Sequence, residues 1–147
     1  MDQSNTALEK RITADFLRAR RRALLNYVLA FLSGKHNRLL VFQEVHPNLR
    51  SYQEVYLGIH SVEMVKIVGC VNRCQDFDRH FLPTQSSSAE RWKSISRAYY
   101  QSIQLPPPIL LKASDVYFVY DGYHRISVAQ LHGVTHIEAD IIEYVRR

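Results

Sequence analysis

Val116-Tyr-Phe-Val-Tyr-Asp-Gly-Tyr-His-Arg-Ile-Ser-Val-Ala-Gln-Leu-His-Gly133 is the stretch that decides the fold. Five β-branched and aromatic residues, Val116 to Tyr120, read as a strand that stops at Asp121-Gly122. A short helical pattern from about Tyr123 to His132 follows, and Gly133 closes it. His124 and Arg125 therefore fall in the first turn of a helix that leaves a strand directly. The backbone N–H groups of such a turn have no intrahelical partner, and the helix dipole adds positive potential there. An imidazole and a guanidinium at that point supply further donors for phosphate oxygens. The corner is predicted to bind phosphate, in a nucleotide.

Working outward, Pro106-Pro107-Pro108 gives a stiff, extended entry to a strand at Ile109–Lys112. A turn at Ala113–Asp115 joins it to the strand just described, and a last strand is expected at Thr135–Tyr144. Upstream, residues 53–60 read as a strand, Ser61–Glu63 as a turn and Met64–Val68 as a further strand. Residues 69–82 are dense in Arg and Asp with Phe77 and Phe81 between them, and Pro83 opens a loop. A helix is expected from Ser88 to about Ser102.

Residues 7–33 read as one long helix, stopped by Gly34, after a polar and frayed segment 1–6. Phe16, Leu17, Leu24, Tyr27, Val28, Phe31 and Leu32 form its apolar stripe, while Arg11, Arg18, Arg20, Arg21 and Arg22 crowd its first half. It is expected to dock by its second half and project the basic half. Residues 35–40 read as a basic linker, and Val41–Val45 as a short helix or strand. The predicted organisation is a basic helix and linker over 1–40 and a domain over 41–147.

Residues 1–40 hold eight Lys and Arg against three Asp and Glu, and residues 41–147 hold 11 of each. The whole net charge of +5 thus sits in the first segment. Such an arm suits nucleic acid, an acidic membrane surface or an acidic partner, or is simply a solvated helix face. The longest apolar run, Ala23–Ser33, falls short of the about 20 residues a bilayer span needs. No signal-peptide pattern opens the chain, and a cytoplasmic protein is expected. Cys70 and Cys74 have neither redox-pair nor zinc-knuckle spacing and read as reduced thiols. His132 and His136 are four apart, but Gly133 lies between them, so no helical metal pair is expected.

Leu105-Pro-Pro-Pro-Ile-Leu-Leu, Tyr117-Phe-Val-Tyr-Asp-Gly-Tyr-His-Arg-Ile-Ser-Val-Ala, Gly133 and Ile137-Glu-Ala, in that order, resemble the ParB/sulfiredoxin superfamily. Ile67-Val-Gly-Cys-Val-Asn-Arg-Cys-Gln-Asp-Phe-Asp-Arg-His-Phe-Leu-Pro with the Asp-Gly-x-His-Arg turn is similar to a set of bacterial ParB-like proteins. The resemblance spans about residues 53–144. It implies an α+β fold, a small mixed sheet with packed helices, to which the basic N-terminal helix is added.

The resemblance also implies that the turn holds nucleotide phosphates, ATP in sulfiredoxins and CTP in ParB partition proteins. Asp121, Gly122, Tyr123, His124 and Arg125 would form the turn. Arg73 would face it from a helix beginning in 69–82, and magnesium could accompany the nucleotide. Sulfiredoxins carry a reactive cysteine where this chain has Tyr123, which argues against sulfinic acid reduction. No helix-turn-helix follows the turn, which argues against centromere partition. Related serine kinases use a carboxylate base, and Asp76 and Asp78 are the nearest candidates; His124 reads as a phosphate ligand, a proton shuttle or a structural hydrogen-bond partner. Asp121 either orients His124, contacts a phosphate-bound metal or caps the helix; Tyr123 either faces solvent or stacks on a base. The leading expectation is a nucleotide phosphate-binding domain, with or without hydrolysis or phosphotransfer. Its alternatives are a DNA-binding or nuclease-like module working through Arg18, Arg20, Arg21 and Arg22, and a homodimer formed through the first helix.

Overall fold

The structure, a computed structural model, describes residues 2–147. In chain order its elements are α1 (Asp2–Ser33), β1 (Leu40–Val41), α2 (Phe42–Val45), β2 (Tyr52–Glu63), β3 (Ile67–Cys70), α3 (Ala89–Tyr100), β4 (Ile109–Ala113), β5 (Val116–Asp121), α4 (Tyr123–Leu131) and β6 (His136–Arg146). The six strands form one mixed sheet in the order β1-β3-β5-β4-β6-β2. This is an α+β protein, a small mixed sheet with helices packed on it.

Strand alternation sorts the residues between two faces. Leu110, Val119, Ala139 and Ile141 face the larger core together with Tyr123, Ile126 and Ala129 of α4. Their neighbours Leu111, Ala113 and Phe118 face the other way and pack on Phe42 of α2. Gly69 is paired with Leu40 across the parallel β1–β3 ladder. A Cβ there would collide with the Leu40 carbonyl and with the Phe118 ring, so only glycine fits.

β2 and β6 pair antiparallel over their whole length, from Tyr52 opposite Arg146 to Glu63 opposite His136. This ladder carries the expected turn at Ser61–Glu63 into the strand, because β6 supplies hydrogen-bond partners that far. Leu57 bulges between Tyr56 and Gly58. β6 also pairs in parallel with β4, so it joins the central hairpin β4–β5 to the edge strand β2.

The helix expected to begin within 69–82 is not formed. Residues 71–88 make a compact loop instead, because its short polar side chains satisfy the backbone locally. Asp78 Oδ1 accepts the amides of His80 and Leu82 at 2.8 and 2.9 Å, and Phe81 takes a left-handed conformation. The cysteines are not free thiols: Cys70, ending β3, and Cys74, in this loop, form a disulfide. The chain doubles back after β3 and sets their Cα atoms 5.7 Å apart, within disulfide reach.

α1 is helical from Asp2, ahead of the expected start, while Met1 lies outside the described residues. Its docking is the reverse of the expectation. Ile12, Phe16, Ala19 and Ala23, spaced along one face of the first two-thirds, are buried. Phe16, Ala19 and Ala23 share a core with Trp92 of α3 and Val128 and Leu131 of α4, so residues 1–40 and 41–147 meet in one interior. Glu9 holds Arg97 through two bonds of 2.6 and 2.9 Å. Trp92 Nε1 donates to Ser127 Oγ at 2.9 Å and links α3 to α4. The second half projects: Leu24, Leu25, Leu29, Phe31 and Leu32 are all more than half exposed.

Candidate phosphate site at the start of the fourth helix

Gly122 turns the chain from β5 into α4 with φ of +96° and ψ of 28°, a left-handed conformation that L side chains rarely adopt. A Cβ at Gly122 would also lie 2.6 Å from Pro108 Cβ. The proline run thus packs against the turn and leaves no room for a side chain. No side chain caps the helix. Asp121 is the last residue of β5, and its Oδ2 stands 3.6 Å from Arg125 Nη2 across one helical turn. The amides of Tyr123, His124 and Arg125 precede the first intrahelical bond, which Ile126 makes to the Gly122 carbonyl at 3.1 Å.

These groups line one cavity of about 420 Å³. Asn72 and Arg73 enter it from the loop after β3, Arg91 and Ile95 from α3, Leu105 and Pro106 from the proline run, and Tyr120 to Arg125 from the β5–α4 turn. Arg73 is held in a left-handed conformation with φ of 57°. Cys74, its immediate neighbour, is tied by the disulfide to the end of β3. Arg91 has no counterpart among the expected site residues. Its signal was present in the sequence as a cation one turn into a helix, but only tertiary packing aims that turn at Gly122.

Two buried nitrogens of this site have no hydrogen-bond partner, His124 Nδ1 and Arg125 Nη1. Burial, then the charges of Arg91 and Arg73, hold His124 far below the usual imidazole value, at about 4, with Asp76 opposing. Arg125 is likewise pushed down from its usual value by burial, with Asp121 opposing. Three guanidinium groups, a neutral imidazole and three free amides therefore converge on a cleft whose one lining carboxylate, Asp121, is largely exposed. Such an arrangement is chemically suited to a multiply charged anion.

The remaining expected residues are placed elsewhere. Tyr123 neither faces solvent nor lies free to stack on a base. Its ring is buried and stacks on Phe77 at 6.1 Å, and its hydroxyl donates to the Val119 carbonyl and accepts the Asn72 amide at 2.9 and 2.8 Å. It is a strut that holds the Arg73 loop against the turn. Asp78 is not in the cleft: it is buried beneath α1, with Oδ2 accepting from Asn26 at 3.4 Å, and burial raises its carboxyl pKa. Asp76 acts on His124 electrostatically but does not line the cleft. His132 lies between α1, α3 and α4, stacked on Tyr99 at 4.3 Å, while His136 is exposed on β6. The basic cluster of α1 is partly engaged: Arg18 pairs with Asp15 at 3.3 Å and Arg20 donates to the Pro83 carbonyl at 3.2 Å, which leaves Arg21 and Arg22 exposed.

No family model and no curated protein sequence matches the chain. Among solved structures, sulfiredoxin from Arabidopsis thaliana is similar at 19% identity and a TM-score of 0.42, over 56% of this chain and 82% of that one. A likeness so distant carries no ligand and no reaction across. Among the described residues no helix is long and apolar enough to cross a membrane.

Proposed function

We propose that the cleft at the start of α4 binds the phosphate groups of a nucleoside triphosphate. The observation that carries this reading is the pair of buried, unpartnered nitrogens, His124 Nδ1 and Arg125 Nη1, at a helix start with free amides. A buried polar nitrogen without a partner is costly, by about 1–3 kcal/mol and more for a charged guanidinium such as that of Arg125, so an acceptor entering the cleft recovers that cost. Phosphate oxygens are such acceptors. Arg73 and Arg91 would close on the far phosphates, while Leu105, Pro106 and Ile95 offer an apolar wall to the rest of the ligand. The volume falls in the usual range for small-molecule sites, about 300–1,000 Å³.

Magnesium would arrive with the phosphates, and Asp121 is the carboxylate at the rim that could meet it. Binding, rather than phosphotransfer, is what the residues support, because neither Asp76 nor Asp78 lines the cleft as a base. Titration with ATP, CTP and GTP, each with magnesium, should saturate for at least one of them. Arg125→Ala should weaken that binding by at least a hundredfold, about 2.7 kcal/mol, in line with loss of a charge-assisted contact. Undiminished affinity in that variant would remove the proposal.

A further inference from the structure

A second concavity, of about 1250 Å³, runs along the flank of α1 beside its docked face, with Phe16 and Ala23 at the boundary. Leu17, Leu24 and Tyr27 form one wall at helical spacing, Leu40 and Val45 form the facing wall, and Phe77 lies at the floor. Leu17, Leu24 and Tyr27 are 53%, 63% and 62% exposed, and Leu40 and Val45 are 49% and 45% exposed. A contiguous apolar surface of this kind on a folded chain marks a place where something docks. The margin is basic: Arg20, Arg21, His36 and Arg38 line it, set against Glu44.

We infer that this groove receives an amphipathic helix of another protein, apolar along one stripe and acidic along its margins. The shape fits a helix. A helix about 10 Å across fills roughly 120 Å³ per residue, so the groove encloses about ten residues, or three turns. The ridge formed by Leu17, Leu24 and Tyr27 suits side chains that interdigitate from a second helix. Charge selects the partner. A second copy of this chain would offer its own exposed segment, Ala23–Ser33, which has no carboxylate and is flanked by Arg20–Arg22 and Lys35–Arg38. Seating it in the groove would bring cations against cations. An extended peptide has little to pair with, since the edge strand β1 is two residues long and runs straight into α2.

The test uses the full chain and two labelled 21-residue peptides, one built of Leu and Glu and one of Leu and Lys with the same apolar stripe. The Leu/Glu peptide should bind saturably by fluorescence anisotropy and the Leu/Lys peptide should not. Leu24→Ser with Tyr27→Ser should weaken binding at least tenfold without moving the thermal midpoint, because both side chains are exposed. Arg21→Glu with Arg38→Glu should shift preference toward the Leu/Lys peptide. Equal binding of both peptides, or of neither, would overturn the inference. So would light scattering showing a dimer that Leu24→Ser dissociates, which assigns the face to a second copy. Co-flotation with phosphatidylserine vesicles abolished by the same change would overturn it too, and assign the face to lipid.

Discussion

His124 is the residue whose protonation reports most directly on the cleft. Its value in the folded chain, about 4, lies below the ordinary 6.5, so the unfolded chain takes up the proton first as pH falls. This contribution to stability is therefore complete above pH 6.5 and is lost progressively toward pH 4. His132, also depressed by burial, acts in the same direction. A bound polyanion favours the imidazolium and raises the His124 value. The thermal shift produced by a nucleotide should consequently grow as pH falls from 7.5 to 5.5. In His124→Gln that growth should vanish, while the general acid destabilisation from His132 persists. A ligand-induced shift independent of pH in the parent chain would separate His124 from the anion.

Among the elements, α1 carries the clearest lesson in what the amino acids disclose. The strand–turn–helix of 116–133 was legible because β-branched residues, Asp-Gly and a closing Gly all agree on one local geometry. The left-handed turn at Gly122 that opens α4 followed from the same residues. The orientation of α1 was not legible, because its docked face is built from Ile12, Phe16, Ala19 and Ala23, where two alanines admit a close approach to α3 and α4 but contribute little hydrophobicity. The stronger apolar stripe lies beyond it and is exposed. Phe16→Ala should therefore cost about 3 kcal/mol, whereas Leu29→Ala should change stability by no more than about 0.5 kcal/mol. Urea denaturation of both variants checks the order.

The loop between β3 and α3 hid more. Its bend depends on Asp78 accepting two amides and on Tyr123 bracing it from 51 residues away. The second of these is a tertiary contact that no local pattern encodes. The disulfide was missed for the same reason, since spacing of four suggests nothing until the chain is seen to double back. Closing so short a loop stabilises by about 2 kcal/mol in the chain-entropy view. Reductant should lower the urea midpoint by a corresponding amount. Cys74→Ala should match the reduced parent and be insensitive to reductant.

At the level of the whole molecule, the sheet is closed by strands far apart in the chain. β6 is bonded on both sides, to β2 antiparallel and to β4 in parallel, and covers an edge of the central hairpin. Ala139 and Ile141 of that strand belong to the core beneath α4. A chain truncated after Gly133 would leave the edges of β4 and β2 without partners and open that core. It should show no cooperative thermal transition and should bind an exposed-hydrophobe dye, whereas the full chain should unfold in one step. Long-range pairing of this kind also predicts slow folding relative to a helical protein of equal length.

The ladder between residues 52–63 and 136–146 has a consequence during synthesis. A ribosome adds about 5–20 residues each second, so β2 leaves the exit tunnel several seconds before its partner is made. Throughout that interval the β2 edge is bare, with Tyr56 and Ile59 along it. The cleft at the start of α4 is half-assembled, because the loop bearing Arg73 emerges well ahead of the turn that Tyr123 pins. A nascent chain of this protein must therefore wait, shielded or solitary, until residue 146 is free. Only then can the sheet be completed.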